Sequence, residues 1–505
     1  MSPRAASILV FLSSAAVLVL ELLAARLLIP YVGNTIETYT AIIGVVLAGI
    51  ALGTWLGGRA ADHREPRRML APLLVAGGAL AALTVPIVDV LAAGLSGSGP
   101  LTTTVLTVLA VLVPAAVLSA VTPVVIKLQL ASLEQTGRVV GRLSAVSTVG
   151  GIAGTFLTGF VLVAYFPTRT TIRVLALLLV LGGVLVALAL AREGTERALG
   201  RLGTDGSTPL LGIAPIVVAL LAGTASLATD GPCERESAYF CISVLEDPAR
   251  PSGRVLRLDT LAHSYVDLDD PTFLSFTYTA WYGDALRGTF ADARPLEALH
   301  IGAGGLTMPR WIRLLHPGST QTVLELDPLV VEVAIDELGF LPGEDITVLT
   351  GDARLGVAAL AADPSRHGTL DVVIGDAFGG IAVPWHLTTR EFVHDLRLLL
   401  ADDGVYLLNV IDRGERTFLR AELATIVEQF AHVAVLERGD VSGGNHVVIA
   451  SGAPIAIERI QVANRARARN DRITAGAELA LFVGDAAVLT DDRAPVDQLL
   501  TARIG

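Results

Sequence analysis

Four short stretches of the sequence combine glycine with carboxylate in a way that could hold a polar ligand. They are Gly302-Ala303-Gly304-Gly305, Glu325-Leu326-Asp327, Gly351-Asp352-Ala353 and Gly375-Asp376-Ala377-Phe378. Glycines let a backbone approach a ligand closely, and a helix starting just after them turns N–H groups toward polar or negative atoms. A carboxylate about 20 residues beyond such a turn is placed to accept hydrogen bonds from ribose hydroxyls. Gly302 to Glu325 is 23 positions, so Glu325 fits that role best, with Asp327 beside it. A carboxylate such as Asp376 can take the proton of an attacking amine, which has no lone pair while it is an ammonium. The same acids could instead cap the helices that follow them.

Each stretch ends an apolar run: Ala298–Ile301, Gln321–Leu324, Ile346–Leu349 and Leu370–Ile374. Strands alternating with helical segments predict a doubly wound, Rossmann-like α/β sheet whose carboxyl edge carries all four stretches, the edge at which such sheets bind ligands. A helix is expected from about Thr307 to Leu315. Upstream, Ser237–Val244, Arg254–Leu258 and His263–Asp267 read as strands of a small antiparallel sheet, separated by Ser252-Gly253 and Asp259-Thr260. After the fourth strand, Trp385-His386-Leu387-Thr388-Thr389 could complete an acceptor pocket, with His386 either a substrate contact or a loop residue.

The remainder of the chain is of another kind. Of 505 residues 52% are hydrophobic and 17% charged, and the mean hydropathy is +0.62, which excludes a wholly soluble or disordered protein. Residues 1–230 hold 14 Lys+Arg against 10 Asp+Glu, and residues 231–505 hold 23 against 39. The acidic second part argues against nucleic-acid binding and tolerates a cationic substrate. Seven segments of the first part are long and apolar enough to span a bilayer: 8–30, 38–58, 69–94, 101–125, 143–165, 171–191 and 209–228. Pro114 and Pro123 make the fourth a candidate for a broken or re-entrant stretch. Arg and Lys concentrate in the N-terminus and alternate loops, which predicts a cytoplasmic N-terminus in a cell membrane. With seven crossings the second part would lie outside the cytoplasm.

Glu21, Arg26 and Asp89 are ionisable residues within these spans and are functional candidates by default. Glu21, near mid-span, is expected either to line a polar cavity or substrate path, or to take a donor from another helix. Gly150-Gly151-Ile152-Ala153-Gly154 and Ala48-Gly49-Ile50-Ala51-Leu52-Gly53 predict close helix packing. The two cysteines, Cys233 and Cys241, match no zinc spacing, so no metal is expected, and they form either a disulfide or two buried thiols.

The order of these motifs, strand-GAGG, LELDP, GDAR and DVVIGDAF, resembles the spermidine synthase family within the class I fold of S-adenosylmethionine-dependent enzymes. Tyr265–Tyr278 and Glu21–Asn34 resemble the subgroup in which such a domain is fused to a multi-pass membrane domain. The resemblance implies that Gly302, Gly304 and Gly305 hold the tail of a sulfonium nucleoside, Glu325 its ribose and Asp352 its adenine. It makes Asp376 the base that orients and deprotonates the amine, and Tyr278 a substrate-site tyrosine. Two departures stand against it. Gly305 and Gly379 occupy positions where the family has aspartates, one for the amine of the decarboxylated tail and one near the polyamine chain. A glycine at 305 suits intact S-adenosylmethionine.

The expected layout is an all-α membrane domain of about seven helices at 1–230, a small β-strand subdomain at 231–275 and a Rossmann-like, class I methyltransferase-like domain at 276–505. Three functions remain open at this point. One is aminopropyl transfer from decarboxylated S-adenosylmethionine to an amine; another is methyl transfer from S-adenosylmethionine to a small or membrane-associated acceptor; the third is a non-catalytic nucleoside-binding module regulating the membrane domain. The implied partners are the lipid bilayer, the small acceptor and a second copy in a homodimer.

Overall fold

The computed structural model describes residues 1–34, 36–94, 100–130, 135–199, 213–380, 382–439 and 443–501, in two compact units, Met1–Cys241 and Ile242–Gly505. The first unit is helical. Six of its helical paths are long and apolar enough to cross a membrane: Pro3–Val32, Thr38–His63, Pro66–Ala92, Leu101–Gln129, Thr136–Tyr165 and Thr168–Ala191. At the seventh segment the described helix is Ile213–Leu227, 15 residues long and shorter than a full span, while 209–212 lie outside the described residues.

The proline-bearing fourth segment is one helical path and not a re-entrant loop. It runs through Pro100–Thr107, a π-helical turn at Val108–Leu112, Val113–Ser119 and Val121–Gln129. In the π turn the Ala110 carbonyl accepts a hydrogen bond from buried Thr84 Oγ1 at 3.1 Å. Small residues bring the helices together as expected. A Cβ on Gly53 would collide with the Ala116 carbonyl, and one on Gly154 would come within 2.6 Å of the Ala15 carbonyl.

Residues 231–241 belong to this helical unit, so the division falls later than the expected boundary at 230. The reason is a set of polar anchors. Arg26 donates to the carbonyls of Ser237 (2.5 Å), Ala238 (3.0 Å) and Tyr239 (3.2 Å), and Glu236 accepts from the Thr168 backbone N–H at 3.0 Å. A Cys233–Cys241 disulfide closes the same loop. Arg26 therefore holds backbone carbonyls, and Asp89 forms an ion pair with Arg169 and accepts from the Tyr31 hydroxyl at 2.8 Å.

The strands are β1 (Arg235–Glu236) in the first unit, β2 (Cys241–Asp247) at the boundary, and β3 (Arg250–Leu258), β4 (Leu261–Asp267), β5 (Glu297–Ile301), β6 (Thr320–Glu325), β7 (Ile346–Thr350), β8 (Leu370–Gly375), β9 (Leu400–Arg413), β10 (His432–Glu437), β11 (Gly443–Ser451) and β12 (Arg472–Ala475). β2, β3 and β4 pair antiparallel, as the alternating pattern predicts. The main sheet has the order β12-β10-β11-β9-β8-β5-β6-β7. Its β7, β6, β5, β8 and β9 run parallel, while β11, β10 and β12 add antiparallel pairs. It is thus a mixed sheet with its parallel part wound from both sides. The parallel strands are near-continuous apolar runs because helices cover both faces. One face packs Phe392, Phe418, Tyr406 and Leu423, the other Trp281, Tyr282, Trp311 and Leu407. The strand order reverses between β5 and β8, which opens a crevice at their carboxyl ends.

Candidate active site

The glycine turn begins where β5 ends. Gly302 and Gly304 have φ of +85° and +48°, in the region glycine favours. A Cβ at Gly302 would meet the Asp376 carbonyl at 2.6 Å, and one at Gly304 would collide with Ser264 Oγ, so these glycines are required by the close approach of β8 and β4. Gly305 donates its N–H to Ser264 Oγ at 2.8 Å, and Thr307 Oγ1 donates to the Tyr265 carbonyl at 3.0 Å. A Cβ at Gly305 would stand 3.0 Å from Val266 and 3.1 Å from Ser264. The position where the family's aspartate is missing is therefore covered by β4. Behind the turn, buried Arg310 donates to the Gly305 and Leu338 carbonyls, and burial lowers its basicity to about 10.

At the end of β6, Glu325 is buried and turned onto the glycine turn. Its Oε2 accepts from Ala303 N–H at 2.8 Å and its Oε1 from Asp327 N–H at 3.0 Å. Burial raises its pKa above the ordinary carboxylate value, opposed by these backbone donors. Asp327 instead caps the helix Pro328–Asp336, its Oδ1 accepting from Leu329 N–H at 3.0 Å. Asp352 also caps its helix, Ala353–Ala361, through Arg354 N–H at 2.7 Å, and its Oδ2 faces His386 Nε2 at 3.5 Å. The structure thus sets His386 against Asp352, the acid assigned to the adenine, and not in a demonstrated acceptor pocket. For Asp352 the capping reading and the ligand reading coexist, since the cap uses one carboxylate oxygen.

Asp376, one residue beyond β8, is half-buried, and desolvation of its carboxyl pushes it up to about 6 from the ordinary 3.8. Two groups oppose that rise. Asn409 Nδ2 on β9 donates to Asp376 Oδ1 at 3.0 Å, and the Tyr278 hydroxyl, 3.3 Å from the His263 carbonyl, also lies within reach of the Asp376 carboxyl. Asn445 Nδ2 on β11 donates in turn to Asn409 Oδ1 at 3.0 Å, which fixes the Asn409 amide with its donor toward Asp376. Tyr278 and Tyr282 stack edge to face, their centroids 5.7 Å apart, and Tyr282 donates to the Gly375 carbonyl at 3.0 Å. Burial, and then the charge of Asp376, hold both phenols protonated far above the ordinary tyrosine value. Asparagine and tyrosine donors around a carboxyl with a midpoint near 6 make a base that is ionised at neutral pH and enclosed by groups able to orient a nitrogen nucleophile.

Gly302–Gly305, Glu325 and Asp376 are joined by direct contacts, and the Gly351 N–H, bonded to the Glu325 carbonyl at 2.8 Å, ties Asp352 to the row. Tyr278 joins them. Glu21 lies in the other unit, in helix Pro3–Val32, and the interhelical donor expected for it is not found among the described residues. Sequence reasoning missed Asn409, Asn445, Tyr282 and Ser264, which sit inside apolar strands or a helix with no motif around them. Asp491 accepts from Thr389 Oγ1 at 2.6 Å and from Arg354 at 2.8 Å, so it pins the segment carrying His386 to the helix that follows Asp352. Among the described residues no group of three or more His, Cys, Asp or Glu side chains is arranged to hold a metal ion.

No family model matches the chain. Over 130 residues it is 34% identical to a polyamine aminopropyltransferase of Vibrio vulnificus, which is 26% of this chain and 42% of that protein, so the chain spans less than half of that relative. Over 198 residues it is 31% identical to a polyamine aminopropyltransferase of Neisseria meningitidis, covering 38% of this chain and 69% of that protein. The chain belongs to the polyamine aminopropyltransferase family. Among solved structures, a probable spermidine synthase from Corynebacterium glutamicum covers 51% of this chain and 95% of its own length at 24% identity, with a TM-score of 0.47.

Proposed function

We propose that this protein is a membrane-anchored transferase that moves an aminopropyl group from decarboxylated S-adenosylmethionine to an amine. The observation that carries the reading is the desolvated Asp376 carboxyl, with its midpoint near 6, under Asn409 and Tyr278. In the reaction the amine nitrogen attacks the carbon next to the sulfonium, a C–N bond forms, the C–S bond breaks and methylthioadenosine leaves as a neutral thioether. The proton given up by nitrogen passes to Asp376. Glu325 and the glycine turn would hold ribose and tail, and Asp352 the adenine. The excess of acidic residues after residue 230 favours a cationic acceptor. The six long apolar helices support anchoring in a membrane. The Cys233–Cys241 disulfide and the loop charges favour an extracytoplasmic position for that loop.

A second reading, methyl transfer from intact S-adenosylmethionine, draws on two observations at the turn. Position 305 lacks an anion for an ammonium tail, and the charged Arg310 behind it favours a carboxylate tail. Calorimetric titration of the full-length protein with S-adenosylmethionine, its decarboxylated form and methylthioadenosine separates the readings. Tighter binding of the decarboxylated form, with methylthioadenosine released when an amine is added, is the expected result. Tighter binding of the intact form, with S-adenosylhomocysteine as product, would replace the first reading by the second. Binding of none would leave the non-catalytic role.

A further inference from the structure

The ionisable residues Asp89 and Arg26, which lie inside the apolar helices, are both partnered, as are several charged groups near the helix ends. Asp89 is paired with Arg169 and Tyr31, Arg26 with the loop 237–239 and Glu236, Lys127 with Asp62, and Arg173 with Ser226. Glu21 stands apart. It has no hydrogen bond or ion pair among the described residues, although it lies well inside the apolar helix Pro3–Val32. It precedes Arg26 by five positions, about 7.5 Å along the axis and about 140° around it, so Arg26 does not neutralise it.

What surrounds Glu21 follows from the register of two helices. Ser14 Oγ and Ser147 Oγ are 2.7 Å apart, a Cβ on Gly154 would strike the Ala15 carbonyl, and one on Gly151 would touch Leu18. The first helix and Thr136–Tyr165 therefore run parallel, with Ala15 beside Gly154 and Leu18 beside Gly151, so that Glu21, further along the first helix, comes level with the stretch that follows Gly154. That stretch carries buried Thr158, whose hydroxyl donates to the Gly154 carbonyl at 2.8 Å. Thr158 opens a π-helical turn, Thr158–Leu162, packed against the first helix. Such turns are costly and recur at functional sites. Hydroxyls already donating to their own backbone present oxygen lone pairs, which suit a carboxyl that carries its proton.

An ionised carboxylate without a partner in hydrocarbon costs several kcal/mol, and a metal cation would need more oxygen ligands than one carboxyl supplies. A proton needs only one. We propose that Glu21 is a proton-carrying site of the helical unit, a carboxyl that takes up and releases a proton within the bilayer, so that the bundle has a chemistry of its own besides anchoring. The proposal rests on the reading that this unit spans a membrane, and the first arm of the test isolates that reading.

Membranes containing the full-length protein are washed with alkaline carbonate. Release of the protein would end the membrane reading itself. Retained protein is treated with N,N′-dicyclohexylcarbodiimide, which partitions into apolar phases and modifies protonated carboxyls, and the peptides are read by mass spectrometry. The expected result is modification of Glu21 well above any other carboxyl of the six helices, falling as pH rises. It should be absent in Glu21→Gln, present in Glu21→Asp and not reproduced by a water-soluble carbodiimide. No modification in retained protein, equal modification by the water-soluble reagent, or a yield independent of pH between 5 and 9 would each overturn the proposal.

Discussion

Asp376→Asn separates the chemical work of that carboxyl from its cost to the fold. Asparagine has nearly the same shape, and its Oδ1 can still accept from Asn409 Nδ2, so the local packing is kept. It cannot take a proton, so turnover should be lost, while nucleoside affinity should stay within a few-fold because the proposed role concerns the acceptor. The effect on stability can be worked from the burial. The folded-state carboxyl is raised from 3.8 to about 6, so folding binds a proton more tightly than the unfolded chain does. Stability from this group is therefore complete below the unfolded value and is lost as pH rises through the folded one. Above both values the cost is about 3 kcal/mol, and at pH 4 it is only about 0.5 kcal/mol. The neutral amide escapes that cost. Thermal unfolding of the second unit, followed in the full-length protein, should occur several degrees higher in Asp376→Asn than in the parent at pH 8 and nearly together at pH 4. An equal or lower transition at pH 8 would refute the argument that burial raises this carboxyl, and retained turnover would remove Asp376 as the base.

Glu325→Ala should weaken binding of the sulfonium nucleoside by roughly 1–3 kcal/mol and also loosen the glycine turn that its Oε2 now holds, with unchanged calorimetric affinity removing it from the site. Asn409→Ala deletes a donor that lowers the Asp376 midpoint, so the acid limb of kcat/KM should move to higher pH. Asn445→Ala should move it less in the same direction, and an unmoved limb in both would show that the amide pair does not tune the base. Glu422 is completely buried with both carboxyl oxygens unpartnered, and burial raises it well above the ordinary value. Its proton is held in the folded state, so stability is lost as pH rises above the unfolded value; Glu422→Gln should flatten the dependence of denaturant midpoint on pH between 5 and 8, and an unchanged slope would place the charge elsewhere.

Much of the site was legible along the chain because each glycine and carboxylate follows its own strand directly. The helix Thr307–Leu315 and the strands ending at Ile301, Glu325, Thr350 and Gly375 appear where the apolar runs predict them. Period-two and 3.6-residue patterns are local properties, and turns after strands need glycine locally. Asn409 and Asn445 were not legible. Each looks like a lone polar residue in a strand, and only the parallel pairing of β8 with β9 brings Asn409 to Asp376, and the antiparallel pairing of β9 with β11 brings Asn445 to Asn409.

The helical unit divides in the same way. Hydropathy alone marks seven segments, and six of them are helices long and apolar enough to cross a membrane, since that is a matter of length and composition. Hydropathy could not tell that residues 231–241 stay with the helices, because Arg26 and Thr168 are distant in sequence from the loop they hold. By itself the sequence determined the strand and helix order, the carboxyl-edge row of Gly302–Gly305, Glu325, Asp352 and Asp376, and the family. Tertiary structure alone decided that Asp327 and Asp352 also cap helices, that β4 closes over Gly305 and that the Asp376 carboxyl is desolvated enough to hold its proton near pH 6, because enclosure and long-range pairing depend on segments that no local pattern brings together.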